Sequence, residues 1–252
     1  MLALIRIISI TLALVVVCFF ACIFSLLRPW SRNRVYFTSK TLGKVSKLLG
    51  LEVEVRLAES AKKLGPVVYV ANHQSGLDMF TISSAVQPNT VTVGKKSLKW
   101  IPFFGQMYWL TGNILIDRVN TSKALGTITQ TVKKIKDKGL SVWLFPEGTR
   151  SNGRGLLRFK TGAFRTAAEA GVPIVPVCSS NLHGAIKWNR WDNGKVIIEI
   201  LAPVYFTDEN KDNVRAIANE IHALMSDKIE QLSLEAGTSL NRNKSKKQEV
   251  DK

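Results

Sequence analysis

The chain has 252 residues, with 35 Lys or Arg against 19 Asp or Glu, so its formal net charge is +16. That length suits one α/β domain with a sizeable core and leaves no clear room for a second. A charge this positive indicates an anionic partner, which is nucleic acid, a phosphorylated substrate or an anionic membrane surface. The three cysteines form no C-x-x-C pair, and they indicate neither a zinc site nor a disulfide framework.

An apolar stretch without a charged residue occupies positions 7–27. A helix needs about 20 apolar residues to cross a membrane core, whereas the apolar part of a cleaved signal peptide has about 7–15. The length therefore favours a retained membrane segment, which either spans the bilayer or lies in one leaflet. Arg6 is the one basic residue before it, and six basic residues without an acid separate it from Glu52. The positive-inside rule then predicts that the rest of the chain is cytoplasmic.

Beyond residue 50, short β-branched runs alternate with longer helical patterns, which predicts an α/β fold with a mostly parallel sheet flanked by helices. The predicted strands cover residues 67–70, 91–93, 114–116, 141–145, 172–177 and 196–200. Pro173 and Pro176 either place the fifth of these strands at an edge of the sheet or bend it, because proline has no N–H group to donate.

Two helical patterns and a polar tail complete the chain. One predicted helix begins at Thr121 or Ser122 and ends at Gly139, and another closes the fold at about Ala236. Residues 241–252 are polar and poor in apolar side chains, which is typical of a disordered tail. We therefore divide the chain into an N-terminal membrane segment with its basic flank (1–50), an α/β catalytic domain (51–240) and the tail (241–252).

His73 and Asp78 stand directly after the first predicted strand, where ligands gather in an α/β sheet. On one helix the two residues would lie about 140° apart, so they can meet only if the chain turns, and Gly76 is suited to that turn. An Asp on one imidazole nitrogen fixes the tautomer and leaves the other nitrogen to accept a proton. The plain alternative is that Asp78 caps a helix and His73 is a polar loop residue.

Three further strand ends carry polar or basic residues, which would share one edge of a parallel sheet with His73. Lys95 and Lys96 follow the second predicted strand, and Arg118 follows the third. The fourth strand is followed by Glu147, Gly148, Thr149 and Arg150. Backbone N–H groups, a hydroxyl and a guanidinium at that end suit a phosphate. The alternative for any single Lys or Arg is a solvated surface charge.

The segments 73–78, 112–118, 145–150 and 172–177 resemble the four ordered blocks of the glycerolipid acyltransferase family. The match is closest to its bacterial 1-acyl-sn-glycerol-3-phosphate acyltransferases, and it extends over nearly the whole chain. Leu115 stands where relatives often carry an aromatic residue, which we expect to alter packing and not chemistry. The resemblance implies an acyltransferase domain preceded by a membrane-embedded helix.

The resemblance also implies a reaction. A fatty acyl chain passes from a thioester to the 2-hydroxyl of lysophosphatidate and gives phosphatidate for phospholipid synthesis. His73 would take the hydroxyl proton, and Asp78 would orient His73. Arg118 and the 147–150 segment would hold the acceptor's phosphate, with Lys95 or Lys96 assisting. Because a carboxylate does not bind phosphate, Glu147 would instead position Arg118 or Arg150.

Several choices stay open within the family. Glycerol-3-phosphate or another lysophospholipid is the alternative acceptor. The donor is either acyl-CoA or acyl-carrier protein, which would then be a protein partner. Residues 100, 101, 103 and 104 are either ordinary core or a surface for acyl chains. We expect no metal, no prosthetic group and no nucleic acid, and we expect the bacterial cytoplasmic membrane, with the catalytic domain on its cytoplasmic face against anionic lipid.

Other classes of protein fit less well. A lipid hydrolase would need a G-x-S-x-G nucleophile elbow, which the sequence lacks. A P-loop enzyme would need a glycine directly before Lys160 and Thr161. The apolar N-terminus and the lack of a recognisable binding motif argue against a nucleic-acid-binding protein. The intact pair of His73 and Asp78 argues against a scaffold that has lost activity.

Overall fold

The computed structural model of the chain describes residues 1–117, 121–207 and 213–238. Arg118 and the predicted tail at 241–252 lie outside the described residues. The strands are β1 (Glu52–Leu57), β2 (Val68–Ala71), β3 (Thr90–Lys95), β4 (Ile114–Ile116), β5 (Ser141–Leu144), β6 (Ile174–Ser179) and β7 (Lys195–Ile200). The helices are α1 (Leu2–Leu27), α2 (Arg34–Lys44), α3 (Asp78–Thr81), α4 (Phe104–Leu110), α5 (Thr121–Lys138), α6 (Gly162–Ala170) and α7 (Val214–Glu235).

The strands form one sheet in the order β1-β7-β6-β2-β5-β3-β4. Strands β2 to β6 run parallel to one another, which confirms the predicted α/β fold. The pair β1 and β7 is parallel within itself but antiparallel to β6. Because β2 to β5 run in one direction, their carboxyl ends meet at one edge of the sheet, as predicted. The strand β1 has no counterpart among the predicted strands.

Of the two alternatives predicted for the proline-containing strand, the edge position is wrong, since β6 lies between β7 and β2. The carbonyl of Pro176 accepts a hydrogen bond from the N–H of Leu201 at 2.9 Å. In a strand, the N–H and C=O of one residue point to the same side. The nitrogen of Pro176 therefore faces the segment just after β7 and not β2. The lack of an N–H group there costs the pairing of β6 with β2 no hydrogen bond.

Helix α1 is long and apolar enough to cross a membrane. One face of the helix is buried along most of its length, and its buried residues are Arg6, Ile10, Cys18, Ala21 and Ser25. This face packs against α2 and α4. The opposite face exposes large apolar side chains, among them Leu4, Ile8, Leu12, Val16, Phe20 and Leu27. Because the contacts run along its length, α1 lies alongside the α/β domain and does not project away from it.

Candidate active site

The predicted pair of His73 and Asp78 comes together at the carboxyl end of β2. The Nδ1 atom of His73 lies 2.6 Å from Oδ2 of Asp78. The same oxygen accepts the backbone N–H groups of Gln74 at 2.7 Å and Ser75 at 3.1 Å. Asp78 is the first residue of α3 and is buried. The carboxylate therefore holds both the turn and the imidazole ring, so Asp78 does more than cap a helix.

The His73 ring has one nitrogen committed and one available. Because the Asp78 carboxylate accepts from Nδ1, that nitrogen carries the proton in the neutral ring, and Nε2 is left as the proton acceptor. The ring stacks on Phe145 at 4.2 Å between centroids, with 19° between the planes. The side chain stays 18% exposed. The imidazole is thus fixed in orientation and still reachable from solvent or substrate.

Glu147 is buried behind this pair and binds backbone, which corrects the predicted role of positioning Arg150. Its Oε1 accepts the N–H of His73 at 2.6 Å, and its Oε2 accepts the N–H of Leu157 at 2.9 Å. Burial raises the pKa of this carboxyl, and the two backbone N–H groups oppose that rise. Glu147 therefore links the backbone of the histidine to the loop after β5.

Two buried amide side chains, which sequence reasoning missed, fix the histidine loop to the end of β6. Asn72 donates to the carbonyl of Ser179 at 3.0 Å and accepts its N–H at 2.8 Å. Gln74 donates to the carbonyl of Ser180 at 2.8 Å and accepts the N–H of Leu182 at 2.7 Å. Polar residues directly after an apolar strand were the available signal, but their partners lie more than a hundred positions away.

The loop after β5 closes over the histidine loop. The carbonyl of His73 accepts the N–H of Ser151 at 2.8 Å. The Arg150 side chain lies against the histidine loop, since its Nη1 is 3.7 Å from the position that a Cβ on Gly76 would occupy. Gly148 adopts φ +72°, which favours glycine, and a Cβ there would lie 3.0–3.1 Å from the Lys160 side chain. Lys160 is therefore a further cation beside this loop that sequence reasoning did not select.

A cavity of about 770 Å³ opens at this edge of the sheet. Its lining includes His73, Asp78, Lys95, Thr149 and Arg150, so three of the four predicted strand ends converge on it. Lys96 and Glu147 are not among its lining residues. Glu147 is buried beneath the site, where it bonds to the backbone of His73 and Leu157. Lys96 is exposed at the start of the short helix Lys96–Trp100.

The rest of the cavity is mostly apolar and extends away from His73 and Asp78. Apolar side chains from α1, α2, α4 and the helical turn after α3 line it, including Leu14, Leu42, Ile82, Phe104 and Met107. Thr92 lies three residues before Lys95 in β3, about 10 Å deeper along the strand. Its hydroxyl bonds to the Tyr108 hydroxyl at 2.7 Å, and both residues line the cavity. An apolar channel therefore leads from the histidine into the layer between α2, α4 and the sheet.

The interpretation of residues 100, 101, 103 and 104 as core is wrong for three of them. Trp100, Ile101 and Phe103 are exposed, and Phe104 is partly buried at the start of α4. Ile101 and Phe104 line the cavity, whereas Trp100 and Phe103 do not. The segment therefore contributes to the apolar channel on one side and presents aromatic side chains to the surroundings on the other.

The bonded pair of His73 and Asp78 therefore lies between cationic groups and an apolar channel. The chain belongs to the acyltransferase family, because residues 52–180 match the family model described as Acyltransferase.

Individual relatives agree with this class. The 1-acyl-sn-glycerol-3-phosphate acyltransferases of Haemophilus influenzae and Escherichia coli are 48% and 49% identical to the chain over 235 residues. That alignment covers 93% of this chain and 98% and 96% of theirs. The structure is similar to the crystal structure of the 1-acyl-sn-glycerophosphate (LPA) acyltransferase PlsC from Thermotoga maritima. The TM-score is 0.70 at 26% identity, covering 92% of this chain and 94% of that one.

Proposed function

We propose that this enzyme transfers a fatty acyl chain from a thioester to the 2-hydroxyl of lysophosphatidate and so forms phosphatidate. One observation carries the proposal: the bonded pair of His73 and Asp78 lies where an apolar channel meets Lys95 and Arg150. An acceptor that is both anionic and acylated suits that junction. The names of the relatives give lysophosphatidate as the acceptor in particular.

The base is Nε2 of His73. It takes the proton of the 2-hydroxyl while that oxygen attacks the thioester carbonyl, and a tetrahedral oxyanion forms. Asp78 holds the Nδ1–H at 2.6 Å and stabilises the imidazolium. Collapse of the intermediate breaks the carbon–sulfur bond, and the departing sulfur takes the proton back from Nε2. The neutral imidazole is thereby restored, and no acyl-enzyme is formed.

The phosphate of the acceptor is held at the polar end of the cavity. Lys95 and Arg150 supply two cations there, and Thr149 supplies a hydroxyl. Charge-assisted bonds of this kind are roughly twice as strong as neutral ones. Glu147 does not touch the phosphate and acts through the backbone of His73 and Leu157. The assignment of Arg118 to the phosphate stays a prediction.

The apolar channel takes an acyl chain, since its walls are built from Leu42, Ile82, Phe104 and Met107. Leu14 of α1 also lines it, so the channel adjoins the helix that has the composition of a membrane segment. We assign α1 to one leaflet on the cytoplasmic face of the bacterial cytoplasmic membrane. The donor is acyl-CoA or acyl-carrier protein, and the reaction needs no metal or prosthetic group.

The test is acyl transfer by the purified enzyme, with each donor supplied against lysophosphatidate and against glycerol-3-phosphate. Phosphatidate formed by the wild type should fall by at least roughly a hundredfold in His73→Ala, the lower end of what a general base contributes. His183→Ala is the matched control, because His183 is exposed and does not line the cavity.

Undiminished activity in a folded His73→Ala protein would refute the mechanism. Acylation of glycerol-3-phosphate in preference to lysophosphatidate would refute the acceptor while leaving the base in place.

A further inference from the structure

Two tryptophans are presented to the surroundings by the connection between β6 and β7. We call residues 187–191 the tryptophan loop. Trp191 is 77% exposed and Trp188 is 39% exposed. The loop lies at the same edge of the sheet as the active site, because β6 ends there and the antiparallel β7 begins there. Packing against the domain does not account for side chains as large as these left in water.

The tryptophan loop is bonded to the start of α1. Arg6 is only 5% exposed, and its guanidinium donates to the carbonyls of Lys187 at 3.2 Å, Trp188 at 3.1 Å and Trp191 at 2.8 Å. The N–H of Ala3 also donates to the Asn189 side chain at 2.9 Å. A buried guanidinium that satisfies three carbonyls of one short loop fixes that loop on the helix.

A second contact holds the loop from the other side. The Asn193 side chain is buried, accepts the N–H of Lys187 at 2.8 Å and donates to the carbonyl of Leu49 at 2.6 Å. The backbone N–H of Asn193 donates to the carbonyl of Gly50 at 2.7 Å. The loop is therefore held in one conformation with its tryptophans exposed. A partner that contacts them does not have to order the backbone of the loop.

Charge and position indicate the nature of that partner. Lys187 and Arg190 give the loop two cations, and the neighbouring acid, Asp192, accepts the N–H of Gly194 at 2.7 Å. The positions of α1 around Arg6 expose apolar side chains, among them Leu4, Ile5 and Ile8. Tryptophan with lysine or arginine is the composition of a membrane–water interface.

The far end of α1 repeats this composition. Arg28 and Arg32 flank Trp30, which is 89% exposed, and the helix between the two ends is about 39 Å long. Both ends of an apolar helix thus carry tryptophan and basic side chains, although one set belongs to a segment more than a hundred and fifty residues further along the chain.

We infer that the tryptophan loop is a second lipid-binding element, which inserts Trp191 and Trp188 into the interface of an anionic phospholipid bilayer and is held there by Arg6. The inference rests on the membrane residence proposed for α1 and does not depend on the acyl-transfer chemistry. The ligand is the bilayer surface itself, with lipid phosphates facing Lys187 and Arg190.

The test uses the full chain bound to vesicles of phosphatidylethanolamine and phosphatidylglycerol, a fraction of which carry bromine near the headgroup end of the acyl chains. Bromine quenches tryptophan only at contact range, and the emission lost on Trp191→Phe is that of Trp191. We expect most of that emission to be quenched. We also expect Arg6→Gln to relieve the quenching of Trp191 and leave that of Trp30, because α1 stays in the lipid.

The matched control moves the tryptophan to the opposite edge of the sheet. Tyr205 is exposed and follows β7, so Tyr205→Trp in a Trp191→Phe background should give an emission that brominated lipid leaves unchanged. Binding to vesicles with Trp30 quenched and Trp191 unquenched would overturn this inference alone. The inference would also be overturned if Trp191 were protected from a water-soluble quencher but not quenched by brominated lipid. Protein, and not lipid, would then cover the loop. Failure to bind vesicles would overturn the membrane residence of α1 as well.

Discussion

Replacing Glu147 by glutamine separates two roles that the same carboxylate could have. Its two oxygens accept the N–H groups of His73 and Leu157, at 2.6 and 2.9 Å. Glutamine keeps one acceptor oxygen and places an NH₂ group against the other N–H. One buried donor is then left unpaired, which costs about 1–3 kcal/mol.

The expected kinetic effect follows from what the carboxylate contacts. Loss of the bond to the His73 N–H lets the imidazole that we propose as the base shift, and a displacement of about 1 Å can cost roughly a hundredfold in rate. We therefore expect kcat to fall by about 10- to 100-fold in Glu147→Gln. The KM for lysophosphatidate should stay within about threefold, because Glu147 does not line the cavity that holds the phosphate.

Initial rates measured against lysophosphatidate concentration, together with thermal unfolding, provide the assay. A loss of about 1–3 kcal/mol lowers the midpoint of a protein of this size by roughly 2–4 °C per kcal/mol. Glu169→Gln is the control, since Glu169 is exposed on α6. A large rise in KM with kcat unchanged would refute this reasoning and restore the role of Glu147 in positioning a phosphate-binding arginine.

The pH dependence of stability gives an independent check on the same residue. Burial raises the pKa of Glu147, so the folded chain holds this proton to a higher pH than the unfolded chain does. Between the ordinary pKa and the raised one, stability falls as the pH rises. Glu147→Gln should flatten that part of a curve of unfolding midpoint against pH. An unchanged slope would show that the carboxyl does not titrate in that window.

Three further substitutions test the remaining parts of the site. Asp78→Asn should lower kcat by about 10²- to 10⁴-fold with the protein still folded, because the imidazole loses its orienting anion; near-wild-type turnover would contradict the pairing. Lys95→Ala should raise the KM for lysophosphatidate by about tenfold or more and Lys96→Ala by much less, since only Lys95 lines the cavity; equal effects would be the contrary result. Gly148→Ala and Gly171→Ala share a positive φ, with strain of about 1–2 kcal/mol, but only the first also crowds a neighbour at 3.0–3.1 Å and adjoins the site, so it alone should lower activity beyond its effect on stability. Loss of activity in both to the same degree would contradict that reading.

The contact between His73 and Asp78 could be predicted from the sequence because every step is local. His73 follows an apolar strand, Gly76 allows a turn, and Asp78 stands at the next helix start, so the short connection alone brings the two side chains together. The convergence of Lys95 and Arg150 with them followed from the parallel direction of the strands. Local periodicity and chain direction therefore carried the fold class and the main site.

The rest depends on partners that are distant in sequence. Glu147 could be singled out from the sequence, but its bonding partners could not, because a sequence does not show which N–H group a buried carboxylate meets. The edge position allowed for the strand of Pro176 was wrong, because the effect of proline in a strand depends on which side its missing N–H faces. Arg6 was counted as a flanking charge, and its burial against three carbonyls is fixed only by the packing of the β6–β7 connection.

Leu14 forms part of both the apolar helix α1 and the wall of the active-site cavity. The helix that we propose as the membrane anchor is therefore also a wall of the proposed binding cavity, and the two cannot be engineered separately. Exchanging α1 for an unrelated membrane helix would preserve the proposed membrane localisation but open a gap in the wall of the cavity. Deleting α1 to obtain a water-soluble protein would also open a gap in the cavity wall. It would in addition remove Arg6, which holds the tryptophan loop.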